Sequence, residues 1–266
     1  MTATNTDAVL LLRLAGPLQS WGETSRFNRR ETRPEPTKSG VIGLLAAALG
    51  LERDADLTPL TSLTMGVRTD QPGTLLRDFH TASDHRGIPL KQSGVNAKGL
   101  QKPTGPAKYT HVTQRYYLQD AVFLVALAGG VDVIDVLAAA VRRPAYPLAL
   151  GRRSCPPTQP ILLGTEREAV LDTLAQQPWQ ASDTGRAQYL RGTKPAFVDL
   201  PITVDDNDGT DTRHDVPTSF GLHDRGFRER RVRHSTVRIP TGIPDPQLDP
   251  DSGTPVGHDP FSLLGW

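Results

Sequence analysis

The order of the apolar patterns between residues 9 and 141 constrains the fold of this chain more than any other feature of its sequence. The short apolar run VLLLRL at 9–14 is typical of a buried strand. A helical pattern follows, with Thr37 or Ser39 as its N-terminal cap and Gly50 in the position that commonly ends a helix. The later segments are strand-like at 62–69, 75–79, 112–118 and 122–127, and helical at 131–141.

This order predicts an α+β fold of the ferredoxin-like (RRM-like) type. In such a fold two helices cover one face of an antiparallel sheet and leave the other face free. A turn around 70–73 predicts that the segments 62–69 and 75–79 pair as a hairpin. The free face is the surface on which RNA-recognition modules stack bases.

Two parts of the chain lie outside this plan. Residues 80–111 are rich in Gly and Pro and poor in large apolar side chains, so they predict a long excursion from the sheet rather than core. After Pro144 the pattern changes to short β-like runs at 145–150, 161–164 and 197–204, with one helical pattern at 166–176. We therefore expect a domain over 1–145 with an insertion at about 80–111, a small β-rich C-terminal region over 146–240, and an extended or mobile tail over 241–266.

The formal net charge of +1 hides a segregation of charge along the chain. The stretches 13–38, 77–115 and 213–238 each carry an excess of basic residues, whereas 199–211 contains five Asp and no base. Arginine provides 24 of the 30 basic residues, and its planar guanidinium forks onto phosphate and stacks on bases. Nucleic acid is therefore a candidate partner, with codon bias as an alternative explanation of the arginine content.

Several other classes of protein are disfavoured. The longest apolar stretch, 41–49, is far shorter than the roughly 20 residues that cross a bilayer, and the polar N-terminus does not resemble a secretory signal. We therefore expect a cytoplasmic protein. The single cysteine, Cys155, cannot form an internal disulfide, and no Cys/His group has the spacing of a zinc site, so we expect neither metal nor cofactor.

Two short motifs combine positive charge with a constrained backbone. The PTKSG segment places Lys38 and Ser39 at a helix N-terminus, which attracts phosphate, but it lacks the glycines of a Walker loop. The GRRSCPP segment holds Arg152 and Arg153 before a rigid Pro pair. An ordinary helix cap is the alternative for the first motif, and we expect Cys155 in the second to be a buried, inert thiol.

A third basic segment, GLHDRGFRERRVR at 221–233, carries one aromatic ring. Glycines allow close approach of the backbone, Arg225 and Arg228 supply charge, and Phe227 supplies a stacking surface. This combination predicts RNA contact. A solvated edge strand whose arginines discourage aggregation is the alternative.

The histidines of the chain also permit a catalytic interpretation. A metal-free ribonuclease needs a general acid, a general base and a cation, and Lys108, Tyr109 and His111 together would suffice. The sequence fixes no second histidine or carboxylate within hydrogen-bond reach of them. We expect no catalytic residue and an RNA-contacting role for His111, and a metal-independent endoribonuclease stays open as the alternative.

Four blocks of the sequence resemble one family, in the same order. They are LRLAGPLQSWGETSRFNRRETRPEPTKSGVIGLLAAALG, DFHTAS, THVTQRYYLQDAVFLVAL and ALGRRSCPPTQPI, and they cover most of residues 8–165. On these blocks the chain resembles the CasD subunits of type I-E CRISPR Cascade, members of the RAMP superfamily. From about residue 166 the resemblance is weaker, limited to the basic segment near Phe227, and the Pro- and Asp-rich tail looks like an addition.

The resemblance implies a non-catalytic subunit of a Cascade surveillance complex, which binds the 5′ handle of crRNA and caps the backbone filament for antiviral DNA targeting. The family fold is an RRM-like palm with a protruding thumb, which corresponds to the excursion at 80–111. The implied partners are crRNA, the repeated backbone subunit and the large PAM-reading subunit, with target DNA reached through the complex. An endoribonuclease that processes CRISPR precursor RNA remains the alternative function.

Phosphates and bases are expected to contact different groups. Arginines and the helix N-terminus hold phosphates, while splayed bases stack on Trp21, Phe27, Tyr109 or Tyr116. We also expect the basic stretches to converge into one electropositive cradle. The candidate RNA-binding residues are Gln19, Trp21, Arg26, Lys38, Ser39, His80, Lys108, Tyr109, His111, Arg115, Arg152, Arg153, Arg225, Phe227 and Arg228.

Overall fold

The structure is a computed structural model that describes residues 7–22, 29–88, 109–192, 194–221 and 223–244. The strands are β1 (Asp7–Ala15), β2 (Leu18–Gln19), β3 (Arg29–Arg30), β4 (Thr64–Gln71), β5 (Thr74–Ser83), β6 (Thr110–Gln119), β7 (Val122–Gly130), β8 (Leu162–Glu166), β9 (Phe197–Asp205), β10 (Asp211–Ser219) and β11 (Gly226–Pro240). The helices are α1 (Lys38–Leu49), α2 (Thr58–Thr61), α3 (Val131–Arg142), α4 (Val170–Gln176) and α5 (Asp183–Tyr189). Every helix within these ranges is too short to be a membrane span.

The larger of two sheets contains seven strands in the order β10–β11–β9–β4–β7–β1–β8, and adjacent strands are antiparallel. The apolar strand β1 lies between β7 and β8, as its continuous apolar run predicts. With the short elements and the β5–β6 pair set aside, β1, α1, β4, β7, α3 and β8 follow one another as strand, helix, strand, strand, helix and strand. The architecture is mixed α/β, built mostly on antiparallel strands.

The two ends of helix α1 confirm the predicted capping residues. The Thr37 hydroxyl accepts a hydrogen bond from the backbone N–H of Gly40 at 3.2 Å, which satisfies one of the free donors of the first turn. Gly50 ends the helix with φ +74°, a left-handed conformation that a residue without Cβ adopts at low cost.

Both faces of the seven-stranded sheet are covered at its centre. Leu10 and Leu12 pack with α1 and α3 in the main core, whereas Val9 and Leu11 pack on the other face with Leu174 of α4. The expectation of a free sheet face is therefore wrong over β1 and β7. The physical reason is that β1 is apolar at nearly every position, so that both of its faces must be buried.

The second sheet is built around β6. Strand β5 pairs with β6 over its whole length, and the short strands β2 and β3 pair with the other edge of β6. The predicted hairpin of 62–69 with 75–79 is wrong, because β4 pairs with β7 and β9 while β5 belongs to this second sheet. Gly73 makes the change of sheet possible: it has φ +71°, and a Cβ there would lie 2.5 Å from the carbonyl oxygen of Gln119.

The C-terminal strands continue the larger sheet. Strand β9 pairs with β4, and β11 and β10 follow outward from β9. The predicted strand at 197–204 is confirmed as β9, whereas the predicted helix at 166–176 begins at Val170. Residues 145–150 form no strand; the backbone N–H groups of Ala145 and Tyr146 instead donate to carbonyls at the end of α1.

Candidate nucleic-acid interface

Arginines from separate parts of the chain meet around strand β6. In the register of the second sheet Arg30 lies beside Arg115, and Arg77 lies opposite Tyr116. Arg152 reaches the same strand from the loop before β8. We call this group the arginine cluster; its members are Arg29, Arg30, Arg77, Arg115 and Arg152. The clustering of arginine at one sheet is the electrostatic feature that phosphate binding requires.

Arg29 is an exposed member of the arginine cluster and lies over the ring of Tyr116. The guanidinium carbon of Arg29 lies 5.1 Å from the centre of the Tyr116 ring, within the range of a cation–π interaction. Arg29 Nε also lies 2.7 Å from a carboxylate oxygen of Glu31, but both side chains are more than half exposed, so this ion pair contributes little. Arg77 lies on the same face as Tyr116. A ring beside cations suits a nucleotide, whose base stacks and whose phosphate is charged.

Arg152 is oriented towards the protein rather than away from it. Its Nη1 donates to the carbonyl of Tyr116 at 3.1 Å and its Nη2 to the carbonyl of Arg30 at 2.7 Å. Its guanidinium carbon lies 4.9 Å from the centre of the Tyr117 ring. Arg153 is exposed and forms no hydrogen bond or ion pair with the described part of the chain. The two adjacent arginines therefore have different environments.

The β5–β6 hairpin exposes apolar side chains on the face that carries Arg77 and Tyr116. Phe79 is 70% exposed, Leu75 65% and Val112 45%. The register places all of them on one face, and neither strand places an acidic residue there. Sequence analysis missed Arg77 and Phe79 as site residues. The signal that could have found them is the alternation of residue types in LLRDFHT, which marks a strand with two different faces.

His80 and His111 lie on the face of the β5–β6 hairpin opposite to that of Arg77 and Tyr116. His80 is opposite Thr113, with 3.1 Å between His80 Nδ1 and the Thr113 hydroxyl, and His111 lies two residues before Thr113. Tyr109, just before β6, is 56% exposed. The structure thus brings His80, His111 and Arg115 to one hairpin. Three other candidate residues lie outside the described residues: Arg26, Phe27 and Lys108.

Gln19 and Trp21 are fully buried, which corrects their predicted role in RNA contact. The Gln19 amide nitrogen donates to the carbonyls of Leu14 at 3.0 Å and Ala121 at 2.7 Å. Its amide oxygen accepts from Trp21 Nε1 at 3.2 Å. The GPLQSWG block is therefore a buried polar connection between the end of β1 and the turn before β7, in which every side-chain donor has a partner.

Lys38 and Ser39 are also buried, so the predicted phosphate contact at this helix is corrected. Lys38 Nζ donates to Asp205 at 2.8 Å and to the carbonyl of Leu63 at 2.6 Å. The backbone N–H of Lys38 donates to a carboxylate oxygen of Asp215 at 2.7 Å. The helix N-terminus does bind an anion, as its dipole favours, but the anion is a side chain of the same protein.

Arg230 completes a buried group that we call the charge network, formed by Lys38, Asp205, Asp215 and Arg230. Arg230 Nε donates to Asp215 at 2.6 Å, and its Nη1 forms an ion pair with Asp205. Burial opposes the charge of Arg230, but hydrogen bonds and Coulombic attraction from Asp215 and Asp205 outweigh it and raise the pKa of Arg230. This arginine is engaged inside the protein and is not an RNA-contact candidate.

The basic segment at the start of β11 lies apart from the arginine cluster. Arg225 and Arg228 are exposed, and the guanidinium carbon of Arg225 lies 5.7 Å from the centre of the Phe227 ring. Strand β11 belongs to the seven-stranded sheet, and no strand pairing joins it to β6 within the described ranges. The structure therefore brings together basic residues of 13–38, 77–115 and Arg152, but not those of 213–238.

Cys155 is buried, and this burial raises the pKa of its thiol. A thiol in this state is protonated at neutral pH and is a poor nucleophile. Among the described residues, no group of three or more His, Cys, Asp or Glu side chains is placed to hold a metal ion.

Comparison with known proteins gives two sequence matches. A family model described as CRISPR-associated protein (Cas_Cas5) matches residues 9–233. The CRISPR system Cascade subunit CasD of Escherichia coli (strain K12) is 39% identical over 175 residues, which cover 59% of this chain and 70% of that protein.

Two solved structures resemble the chain over most of its length. A chain of a structure described as a CRISPR RNA-guided surveillance complex matches with a TM-score of 0.68 and 34% identity, and the match covers 87% of this chain and 91% of the other. A structure described as the crystal structure of a Cas protein matches with a TM-score of 0.63 and 35% identity, covering 89% and 100% of the two chains.

Proposed function

The chain belongs to the Cas5 family of CRISPR-associated proteins, and on that premise we propose that it is a non-catalytic subunit of a type I-E Cascade surveillance complex. In this proposal it binds the 5′ handle of crRNA and caps the backbone filament for antiviral DNA targeting. Its partners are crRNA, the repeated backbone subunit and the large PAM-reading subunit, and target DNA is reached through the complex. The cytoplasm is the proposed compartment.

The names of the matched proteins support membership of a Cascade complex. The curated relative is named as a Cascade subunit, and one matched structure is described as an RNA-guided surveillance complex. The strand order β4–β7–β1–β8, with α1 and α3 packed in one core, supports a ferredoxin-like interpretation of the chain from β1 to β8, which extends the proposed palm from residue 145 to Glu166. In this interpretation the β5–β6 hairpin is the base of the thumb, and strands β9, β10 and β11 are an addition to the palm sheet.

The observation that carries the proposal is the arginine cluster beside the exposed face of the β5–β6 hairpin. Arginines hold phosphates without reading sequence, whereas rings such as those of Phe79 and Tyr116 stack on splayed bases. The two kinds of group lie next to each other on β5 and β6. We therefore propose Arg29, Arg77, Phe79 and Tyr116 as the centre of the RNA interface, with Tyr109 and Arg153 at its edges.

A specific observation favours retaining an endoribonuclease as the second candidate. His80 and His111 share one face of the hairpin with Arg115, which are the residue types that metal-independent RNA cleavage uses. Incubation of the purified chain with labelled repeat RNA in EDTA tests this activity. Specific cleavage that is lost in His111→Ala and in His80→Ala would favour the enzyme, and intact RNA that is nevertheless bound would favour the non-catalytic subunit.

Ultraviolet crosslinking of the assembled complex, followed by peptide mapping, tests the proposed interface. We expect crosslinks between crRNA and peptides that contain Phe79 and Tyr116, because stacked aromatic rings are close to the bases. Crosslinks confined to the Phe227 peptide would move the interface to β11. A complex that assembles normally without any crosslink from this chain to RNA would favour a purely structural adaptor.

A further inference from the structure

We propose that Arg152 is a positioning residue for RNA binding, and that its neighbour Arg153 supplies the phosphate contact. This inference rests on the proposed function and assigns separate roles to two adjacent arginines. Arg152 is half-buried and hydrogen-bonded to the backbone, whereas Arg153 is exposed. The division follows from the partners of each guanidinium rather than from the sequence, where the two residues are equivalent.

Both Nη atoms of Arg152 already donate to carbonyls inside the protein. Its Nη1 donates to the carbonyl of Tyr116, and its Nη2 donates to the carbonyls of Arg30 at 2.7 Å and Glu31 at 3.3 Å. One face of the guanidinium lies over the Tyr117 ring at 4.9 Å. Because a bidentate phosphate contact needs two free parallel donors, a phosphate at the Nη1–Nη2 edge would have to displace these carbonyls. The hydrogen bonds of Arg152 instead join β3 to β6.

The backbone that carries Arg152 is fixed to the core. Gly151 has φ +81°, and a Cβ there would lie 1.9 Å from the carbonyl oxygen of Ser20, so that the turn is closely packed against the segment after β1. The backbone N–H of Cys155 donates to the carbonyl of Arg152 at 2.9 Å, and that of Leu150 donates to the carbonyl of Cys155 at 2.8 Å. A rigid turn therefore presents the Arg152 guanidinium in one position.

Strand β3 is very short and gains support from this contact. It pairs with β6 at Arg29 and Arg30, and two residues of pairing are marginal without support from other contacts. The bonds from Arg152 hold the carbonyls of Arg30 and Glu31 in place. The position of Arg29 over the Tyr116 ring follows from the position of this segment. Arg152 thus acts on RNA through Arg29.

RNA-binding titrations with Arg→Lys variants distinguish the two roles. The probe is a labelled single-stranded RNA of the repeat-derived 5′ handle, and the protein is the full chain. A lysine keeps the charge but replaces the planar fork, whose Nη1 and Nη2 reach carbonyls of two different segments, with a single ammonium nitrogen. We therefore expect Arg152→Lys to weaken binding about tenfold, close to the effect of Arg152→Ala, whereas Arg153→Lys, which keeps the charge at an exposed phosphate contact, weakens binding much less than Arg153→Ala does. Binding of Arg152→Lys equal to that of the unmodified chain would overturn the proposal.

A double-mutant cycle tests whether Arg152 acts through Arg29. If it does, Arg29→Ala weakens binding severalfold in the unmodified chain and has little further effect in Arg152→Lys, whereas Arg153→Ala and Arg29→Ala have additive effects. Thermal unfolding of each variant measures the general loss of stability, which would not by itself create this coupling. Additive effects of Arg152→Lys and Arg29→Ala would contradict the assignment.

Amide hydrogen exchange separates a failure of this inference from a failure of the proposed function. Without RNA, Arg152→Lys is expected to accelerate exchange at residues 29–33, and Arg153→Ala is expected to leave it unchanged. Unchanged exchange at 29–33 in Arg152→Lys would overturn the positioning role. If exchange is accelerated in Arg152→Lys but the unmodified chain does not bind the RNA probe, the positioning of β3 by Arg152 would be supported and the proposed RNA-binding function would be contradicted.

Discussion

The arginine cluster and the charge network use the same type of side chain for different purposes. In the arginine cluster, five arginines lie on or beside β6; Arg29 pairs with Glu31, and Asp78 lies opposite Arg115. In the charge network, Arg230 lies between Asp205 and Asp215, and Lys38 bonds to Asp205. The first region carries excess positive charge at an exposed sheet, whereas the second is internally neutral and buried.

This comparison shows that a local excess of arginine does not identify a binding surface. The stretch 213–238 contains seven arginines against three in 77–115, yet Arg213 pairs with Glu35 and Arg230 pairs with two aspartates. The acidic stretch 199–211, which is separate in the sequence, supplies Asp205 to this network. Whether an arginine is available to RNA depends on the carboxylates that the fold brings to it.

The largest expected effect is a loss of stability when the charge network is broken. Asp215→Ala removes the partner of Arg230 and the acceptor of the Lys38 N–H, and leaves buried donors unpaired. We expect it to lower the free energy of unfolding by about 3–5 kcal/mol, measured by urea denaturation. The control is Arg231→Ala, an exposed residue next to Arg230 on β11, with an expected change within about 0.5 kcal/mol. Equal, small effects would mean that the network is not a structural element.

The next effect concerns RNA affinity at the arginine cluster. Phe79→Ala is expected to weaken binding of handle RNA by about 1–3 kcal/mol, because a stacking ring is lost, and to leave the unfolding midpoint almost unchanged, because Phe79 is exposed. A filter-binding titration measures the first quantity and circular dichroism the second. The matched control is Tyr146→Ala, an exposed ring on the loop after α3. If both variants bind RNA equally well, the hairpin face is not the stacking surface.

Salt dependence distinguishes the two basic regions with a smaller effect. Arg77→Ala is expected to reduce the slope of log affinity against log salt by about 0.7, the value for one phosphate contact on a single strand. Arg228→Ala, an exposed arginine of β11, is expected to leave the slope unchanged. A reduced slope for Arg228→Ala together with an unchanged slope for Arg77→Ala would reverse the assignment of the two regions.

The smallest expected effect on stability comes from Cys155, next to the Arg152 turn. Burial raises the pKa of this thiol, so the folded state retains the thiol proton in a range of pH where the unfolded thiol has ionised. The stabilisation linked to this proton is therefore complete below the pKa of the unfolded Cys155 thiol, and it declines as the pH rises above that pKa. Alkylation by iodoacetamide at pH 8, followed by mass spectrometry, is expected to be slow in the native protein and fast in urea. Fast alkylation of the native chain would show that the turn around Arg152 opens readily.

The local elements of the fold could be predicted from the sequence, and the contacts between distant elements could not. The cap at Thr37, the end of α1 at Gly50 and the buried strand β1 each depend on a few neighbouring residues. The partner of β5 depends instead on a strand about 40 residues later, and a turn motif alone does not reveal that the chain changes sheets at Gly73.

The residue types of the candidate site could be predicted from the sequence, but not which individual residues belong to it. Basic residues near β6 were expected, and Arg115 and Arg152 do lie there. Lys38 was misassigned because its partner Asp205 is 167 residues away, and a helix N-terminus attracts a carboxylate as readily as a phosphate. Trp21 was misassigned because a tryptophan within a polar segment of sequence gives no sign that its side chain is buried. In the structure it is fully buried, and its indole nitrogen donates to Gln19.

The pairing of β4 with β9 has a consequence for synthesis on the ribosome. Strand β4 emerges early, yet the strand that covers one of its edges, and the Asp205 carboxylate that accepts from the Met65 amide, are translated 140 residues later. Until then the nascent chain displays an uncovered strand edge, which invites chaperones or mispairing with other chains. Folding of this protein is therefore completed only when most of its polypeptide has left the exit tunnel.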